Sequence, residues 1–229
     1  AGTGIRRLGQ ELMRSGLKDR KINLFLTHFH WDHIHGLPFF APIFENVPIS
    51  FFTGGSGHTS ESVLAGQMKS PYFPVDFKAA GSKCDFFDMD GSPFRSGPCT
   101  VQAFPVHHPQ GAFGFRVEAF GSSLAYVPDR EPGDPKLDRI LCQSVEGVDI
   151  LIHDAQYTPE EYELYRGWGH STWLQAAQVA ADCRVKQLVL FHHDPEHDDA
   201  AVERIQSEAR QHFPNTCAAV EGWVATFKP

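Results

Sequence analysis

In the run His28-Phe29-His30-Trp31-Asp32-His33, three histidines and an aspartate fall within six residues. Imidazole and carboxylate are the usual ligands of zinc and its neighbours, bonding at about 2.0–2.2 Å. The run follows Ile22-Asn23-Leu24-Phe25-Leu26-Thr27, which reads as a buried strand. Residues two apart in extended chain point the same way, so His28 and His30 converge on one ion. Asp32 and His33 come where the chain must turn, and face a second ion. The competing reading is a solvated loop rich in His and Asp, which fits one or two histidines better than this density of ligands.

Four groups do not fill two coordination spheres. Further donors follow three other predicted strands: His107-His108 after 100–106, Asp129 after 122–127, and His192-His193-Asp194 after 187–191. Placement at strand ends is what ligands converging on one rim of a sheet require. Taken singly, each also reads as a strand-end cap or an Asx turn. Two ions held about 3.5–4 Å apart lower the pKa of a shared water and supply hydroxide near neutral pH.

The elements that must carry these residues follow from the hydrophobic pattern. Ile5, Leu8 and Leu12 sit at helical spacing before Gly16. Strands are predicted at 22–27, 49–53, 84–89, 100–106, 113–119, 122–127, 148–152, 187–191 and 222–227. Helices are predicted at 61–69 (with Ser60 as the cap), 135–145, 171–183 and 198–212. Hairpins in the middle and strand–helix units later suggest layered sheets with helices outside.

The 229 residues, 41% of them hydrophobic, are enough for one domain with a substantial core. No apolar stretch reaches the roughly 18–20 residues that cross a bilayer, so no membrane partner is expected. Five scattered cysteines without a Cys-x-x-Cys pair argue against a disulfide framework and for a reducing, cytoplasmic setting. The formal charge of −8 argues against a long-range field that steers nucleic acid. Two divalent cations would nevertheless reverse the sign locally.

The segments 27–36, 108–116, 125–129, 151–155, 169–172 and 190–194 resemble, in order, those of the metallo-β-lactamase fold superfamily. Its hallmark is His-x-His-x-Asp-His after a strand. Within it, the chain is most similar to the phosphodiesterase branch that includes ribonuclease Z. The resemblance implies an α/β fold, an αββα sandwich of two mixed β-sheets with helices on the outer faces. It also implies that His28, His30 and His108 bind one divalent metal, that Asp32, His33 and His192 bind the other, and that Asp129 bridges them. Zinc is the expected metal, with manganese or iron as alternatives. Asp154 and His170 match an acidic residue and a histidine that cooperate near a scissile phosphate.

The function so implied is phosphodiester hydrolysis by a metal-bridging hydroxide. Asp32 would orient the water or take its proton, and His170, kept protonated by Asp154, would serve the leaving oxygen. The rivals are hydrolysis of a lactone, thioester or lactam, a redox di-iron centre, and a non-catalytic metal-dependent sensor. A small phosphodiester is the expected substrate and a large RNA is not, because the net charge is negative and no long basic insertion is present. Ala1-Gly2-Thr3-Gly4-Ile5 resembles the segment after the family's first strands, so the first sheet is expected to lack its N-terminal strands. That leaves room for a homo-oligomer. Phe39, Phe40 and Trp168 are expected at a pocket rim, His35 in a turn and His197 outside the ligand set, while His58, His153 and His212 receive no role.

Overall fold

The computed structural model describes residues 1–16, 21–54, 60–80 and 83–227, so His58 lies outside the described residues. The chain divides into two compact units, Ala1–Asp90 and Gly91–Pro229.

The first unit holds α1 (Ile5–Arg14), β1 (Ile22–Leu26), the short α2 (Trp31–Ile34), β2 (Ile49–Gly54), α3 (Ser60–Gln67) and β3 (Cys84–Met89). Its three strands form a parallel sheet in the order β1-β2-β3. Register explains its aromatic content. Phe25, Phe52 and Phe87 are cross-strand neighbours on one face, with ring centroids 4.7 and 5.0 Å apart. Leu24, Phe51 and Phe86 occupy the other face, where Phe51 joins Leu64 and Met68 in the unit's core. Every residue of β2 is buried, as expected of a central parallel strand. The expectation of a helix capped by Ser60 shifts by one turn position: Ser60 is the first helical residue, and its hydroxyl pairs with Thr53 Oγ1 at 2.7 Å.

The second unit holds β4 (Phe94–Ser96), β5 (Cys99–Val106), β6 (Ala112–Ala119), β7 (Ser122–Val127), α4 (Pro135–Val145) and β8 (Ile150–Asp154). It continues with α5 (Pro159–Tyr165), α6 (Trp173–Asp182), β9 (Gln187–Phe191), α7 (Asp199–His212) and β10 (Thr216–Ala218). The sheet order is β10-β9-β8-β7-β6-β5-β4. The strands from β4 to β7 pair antiparallel, and β7, β8, β9 and β10 pair parallel through helical crossovers. Two antiparallel steps restore direction, so β5, β7, β8 and β9 all point the same way. Their carboxyl ends therefore lie on one rim, and the residues that follow them are brought together. Helices start where side chains satisfy their first N–H groups: Asp134 caps α4, a Thr172–Gln175 capping box opens α6, and Asp198 caps α7. The core packs Leu141 and Val145 of α4 and Ala176 and Ala180 of α6 against Leu151, Leu188 and other sheet residues.

Mixed α/β architecture with two sheets and helices is as expected. Two details are corrected. Residues 222–227 are not a strand; the last strand is Thr216–Ala218, which adds to the edge of β9. Trp223 and Val224 have β-forming side chains, but Val224 is 80% exposed and, among the described residues, no strand pairs with 222–227. Nor is the chain without a disulfide: Cys142 near the end of α4 is bonded to Cys183 at the end of α6. The two are 41 residues apart in sequence and meet only because the helices pack on the same sheet, which no local cysteine spacing reports. Among the described residues no helix is long and apolar enough to cross a membrane.

Candidate metal centre

In the first unit β1 ends at Leu26 and delivers Thr27 and His28 into a turn that α2 closes. His30 is the residue before α2, in extended conformation, and its carbonyl accepts from His33 N–H at 3.0 Å. This puts the His28 ring 4.4 Å from the rings of both His30 and His33. Asp32 Oδ2 lies 2.9 Å from His33 Nε2. The turn is held from behind by Gly36, whose N–H donates to the Ala1 carbonyl, and a Cβ there would lie 2.0 Å from the Gly2 oxygen. Only glycine allows that approach. His35 Nδ1 donates to the Trp31 carbonyl, as suits a turn residue.

In the second unit the rim of the sheet gathers its donors around Asp129, which is buried. Asp129 Oδ2 lies 3.9 Å from His108 Nε2 and 4.0 Å from His170 Nδ1, and Oδ1 lies 3.6 Å from His192 Nε2. Asp154, His170 and His192 each bring a ligand-type atom within 4.8 Å of the others. Of the two histidine pairs, His108 and His192 face Asp129. His107 instead bonds through Nδ1 to the Glu131 carbonyl, and the His193 ring is partnered by the Leu190 backbone. Burial also holds the His193 pKa below its ordinary value. His192 has φ of +58°, a strained backbone for a non-glycine residue and one that tends to occur at functional sites.

Tautomers test whether these residues suit a metal. The Gly169 carbonyl, 2.9 Å from His108 Nδ1, can only accept, so Nδ1 carries the proton and Nε2 the lone pair. His192 Nδ1 likewise bonds to Gln156 Oε1 at 2.9 Å. Two basic nitrogens thus face a buried carboxylate, an arrangement that favours a bound cation, with each ring fixed through its other nitrogen in the manner of metal-ligating histidines. The donor set fits divalent metal ions of the zinc type.

Asp154 is fully buried at the end of β8. Its carboxylate accepts from the N–H groups of Arg130, Ser171 and Gln156, and from His170 Nδ1 at 3.1 Å. Burial raises its pKa, and the hydrogen bond and charge of His170 work against that shift. His153 beside it is also fully buried, and desolvation lowers its pKa to about 3, so it is a neutral core residue that donates to the Asp154 carbonyl. His197 pairs with Glu161 at 2.9 Å and His212 packs on Trp173. Phe40 is fully buried and so is core, while Phe39 and Trp168 are exposed. No local spacing marks Glu131, a buried carboxylate two residues after Asp129, or Gln156, which holds His192.

The model of the beta-lactamase superfamily domain family matches residues 1–193. Ribonuclease Z from Enterococcus faecalis is 25% identical over 263 aligned positions, covering 90% of this chain and 80% of that protein. Ribonuclease Z from Bacillus subtilis is 25% identical, covering 92% and 83%. Among solved structures, the short form of human tRNase Z superposes with a TM-score of 0.66 at 23% identity, covering all of this chain and 86% of that one. A diphosphatase of the PhnP family gives 0.66 at 20% identity, covering 96% and 76%. These relatives overturn the expectation that a large RNA is excluded as substrate. Net charge averages the whole surface, whereas an RNA is gripped locally, and bound cations change the local sign. The chain belongs to the beta-lactamase superfamily domain family, as a ribonuclease Z-like, metal-dependent hydrolase with the metallo-β-lactamase fold.

Proposed function

We propose that the protein hydrolyses phosphodiester bonds of RNA with two divalent metal ions, zinc by preference, and that residues 1–229 act as one catalytic domain. His28, His30 and His108 would hold one ion and Asp32, His33 and His192 the other, with Asp129 shared. Two such ions, when bound, supply Lewis acidity and an activated water. Asp32 would orient that water or accept its proton.

The observation that carries the reading is the pairing of His170 with the buried Asp154 at the rim that also bears Asp129 and His192. Asp154 Oδ2 accepts from His170 Nδ1–H and so fixes the ring, whose Nε2 would give its proton to the departing oxygen. Asp154 also accepts the N–H of Ser171, so the same carboxylate fixes the backbone next to His170.

Turnover of a short RNA and of bis(nitrophenyl) phosphate by His170→Ala, alongside its zinc content, tests this. RNA cleavage is expected to fall by about 10²–10⁴-fold with zinc retained. The nitrophenyl ester is expected to suffer less, because nitrophenolate leaves without a proton. Equal loss on both substrates would remove the acid role from His170. Turnover of lactones or thioesters in place of either phosphodiester would defeat the phosphodiesterase reading.

A further inference from the structure

After Asp129 the chain turns back through Arg130 and Glu131, and Glu131 is only 5% exposed. A buried carboxylate costs several kcal/mol unless it is hydrogen-bonded, so its partners matter. Oε1 accepts from the Tyr162 hydroxyl at 2.9 Å and the Gly167 N–H at 2.7 Å, and Oε2 from the Gly169 N–H at 2.9 Å. Burial and the bond to Glu131 push the Tyr162 phenol up to about 12, so it stays a donor.

The backbone of the same residue reaches the other way. Glu131 N–H donates to the His107 carbonyl at 2.8 Å, and His107 Nδ1 bonds to the Glu131 carbonyl at 3.2 Å. Glu131 thus joins the end of β5 to the 167–169 loop, and His108 lies between them. The loop in turn grips the His108 ring: the Gly169 carbonyl takes its Nδ1–H, and a Cβ on Gly169 would lie 2.3 Å from Nδ1.

We propose that Glu131 is a positioning residue for metal binding: it sets the 167–169 loop against the strand end and so holds His108 Nε2 toward Asp129. The proposal rests on reading His108 as a ligand.

The test is zinc affinity of the full chain, by competition with a chromogenic chelator, for wild type, Glu131→Gln, Glu131→Ala and Tyr162→Phe. Glu131→Gln keeps the shape but offers one acceptor where two N–H groups need one each. It is expected to bind zinc about 10–100-fold more weakly, with circular dichroism of the metal-free chain unchanged. Tyr162→Phe leaves both glycine contacts and is expected to match wild type. The imidazole N–H signal of His108 in the zinc-loaded protein should be protected from exchange in wild type and exchange rapidly in Glu131→Gln. Wild-type affinity in Glu131→Gln with that signal still protected would overturn the proposal. So would failure of both Glu131 variants to fold without metal, which would make the role structural. A wild-type chain that takes up no zinc would instead defeat the ligand reading itself.

Discussion

A single side chain atom decides whether the His108 ring can be placed as it is. Gly169 has φ of +96°, and a Cβ there would meet His108 Nδ1 at 2.3 Å and Pro109 Cδ at 2.4 Å. Gly111, three residues after His108, also has positive φ (+83°), but nothing lies within 4 Å of its would-be Cβ. Gly111→Ala therefore carries only the backbone term, about 1–2 kcal/mol, while Gly169→Ala adds displacement of the imidazole. Urea unfolding is expected to show the larger loss for Gly169→Ala, and zinc affinity is expected to fall in that variant alone. Equal effects would mean that the loop yields and His108 is not held. The sequence made part of this visible. His28, His30, Asp32 and His33 are legible because their ligands are local, packed into six residues. Asp129, His108 and His192 are legible only as strand-end donors, and the choice within each histidine pair needs the ring directions. Glu131 was not legible, since its partners Gly167 and Gly169 stand 36 and 38 residues away and no local spacing relates them.

At the level of elements, the rim exists because β7, β8 and β9 are held in register, and Asp149 pins all three. Its Oδ2 accepts from Ser123 N–H at 2.7 Å at the start of β7, and Oδ1 from Lys186 Nζ at 2.7 Å just before β9. The Lys186 hydrogen bond, then that from Ser123, lowers the Asp149 pKa. A carboxylate with a depressed folded pKa contributes stability above its unfolded pKa of about 4 and loses it as pH falls through the folded value. Asp149→Asn is accordingly expected to cost about 1–2 kcal/mol at pH 7, with the gap to wild type closing below about pH 4. A gap as wide at pH 3 as at pH 7, in chemical denaturation, would remove the charge from the explanation. Most elements were readable from periodicity and turn residues, because β1, β7, β9, α4 and α7 agree with their local propensities. The exceptions are instructive. Phe94–Ser96 is a strand only because β5 offers its edge, and Pro159–Tyr165 is too short to show a helical period despite its Thr158–Glu161 capping box. Residues 222–227 have strand composition without a partner strand among the described residues.

For the whole molecule the proposed ligand set makes a demand that neither half meets by itself: His28, His30, Asp32 and His33 precede Asp90, and His108, Asp129 and His192 follow Gly91. If the ions are shared, metal binding couples the stabilities of the two units, each of which has its own core. An ion that binds only the folded form contributes RT ln(1 + [L]/Kd), about 2.7 kcal/mol at a hundredfold excess over Kd. Zinc should therefore slow hydrogen exchange in β2 of the first unit and in β9 of the second together. His28→Ala removes a donor from the first unit without touching the second, yet zinc is then expected to lose most of its protection of β9. His192→Ala should likewise weaken the protection of β2. Zinc protection of β9 that survives His28→Ala in full would show that the second unit binds metal alone through Asp129, Asp154, His170 and His192. The shared centre would then give way to a site within one unit. The negative charge of the chain bears on the same point. A formal −8 is reduced by four when two divalent ions bind, and that change falls at one place, so affinity for an RNA backbone should appear only with metal present.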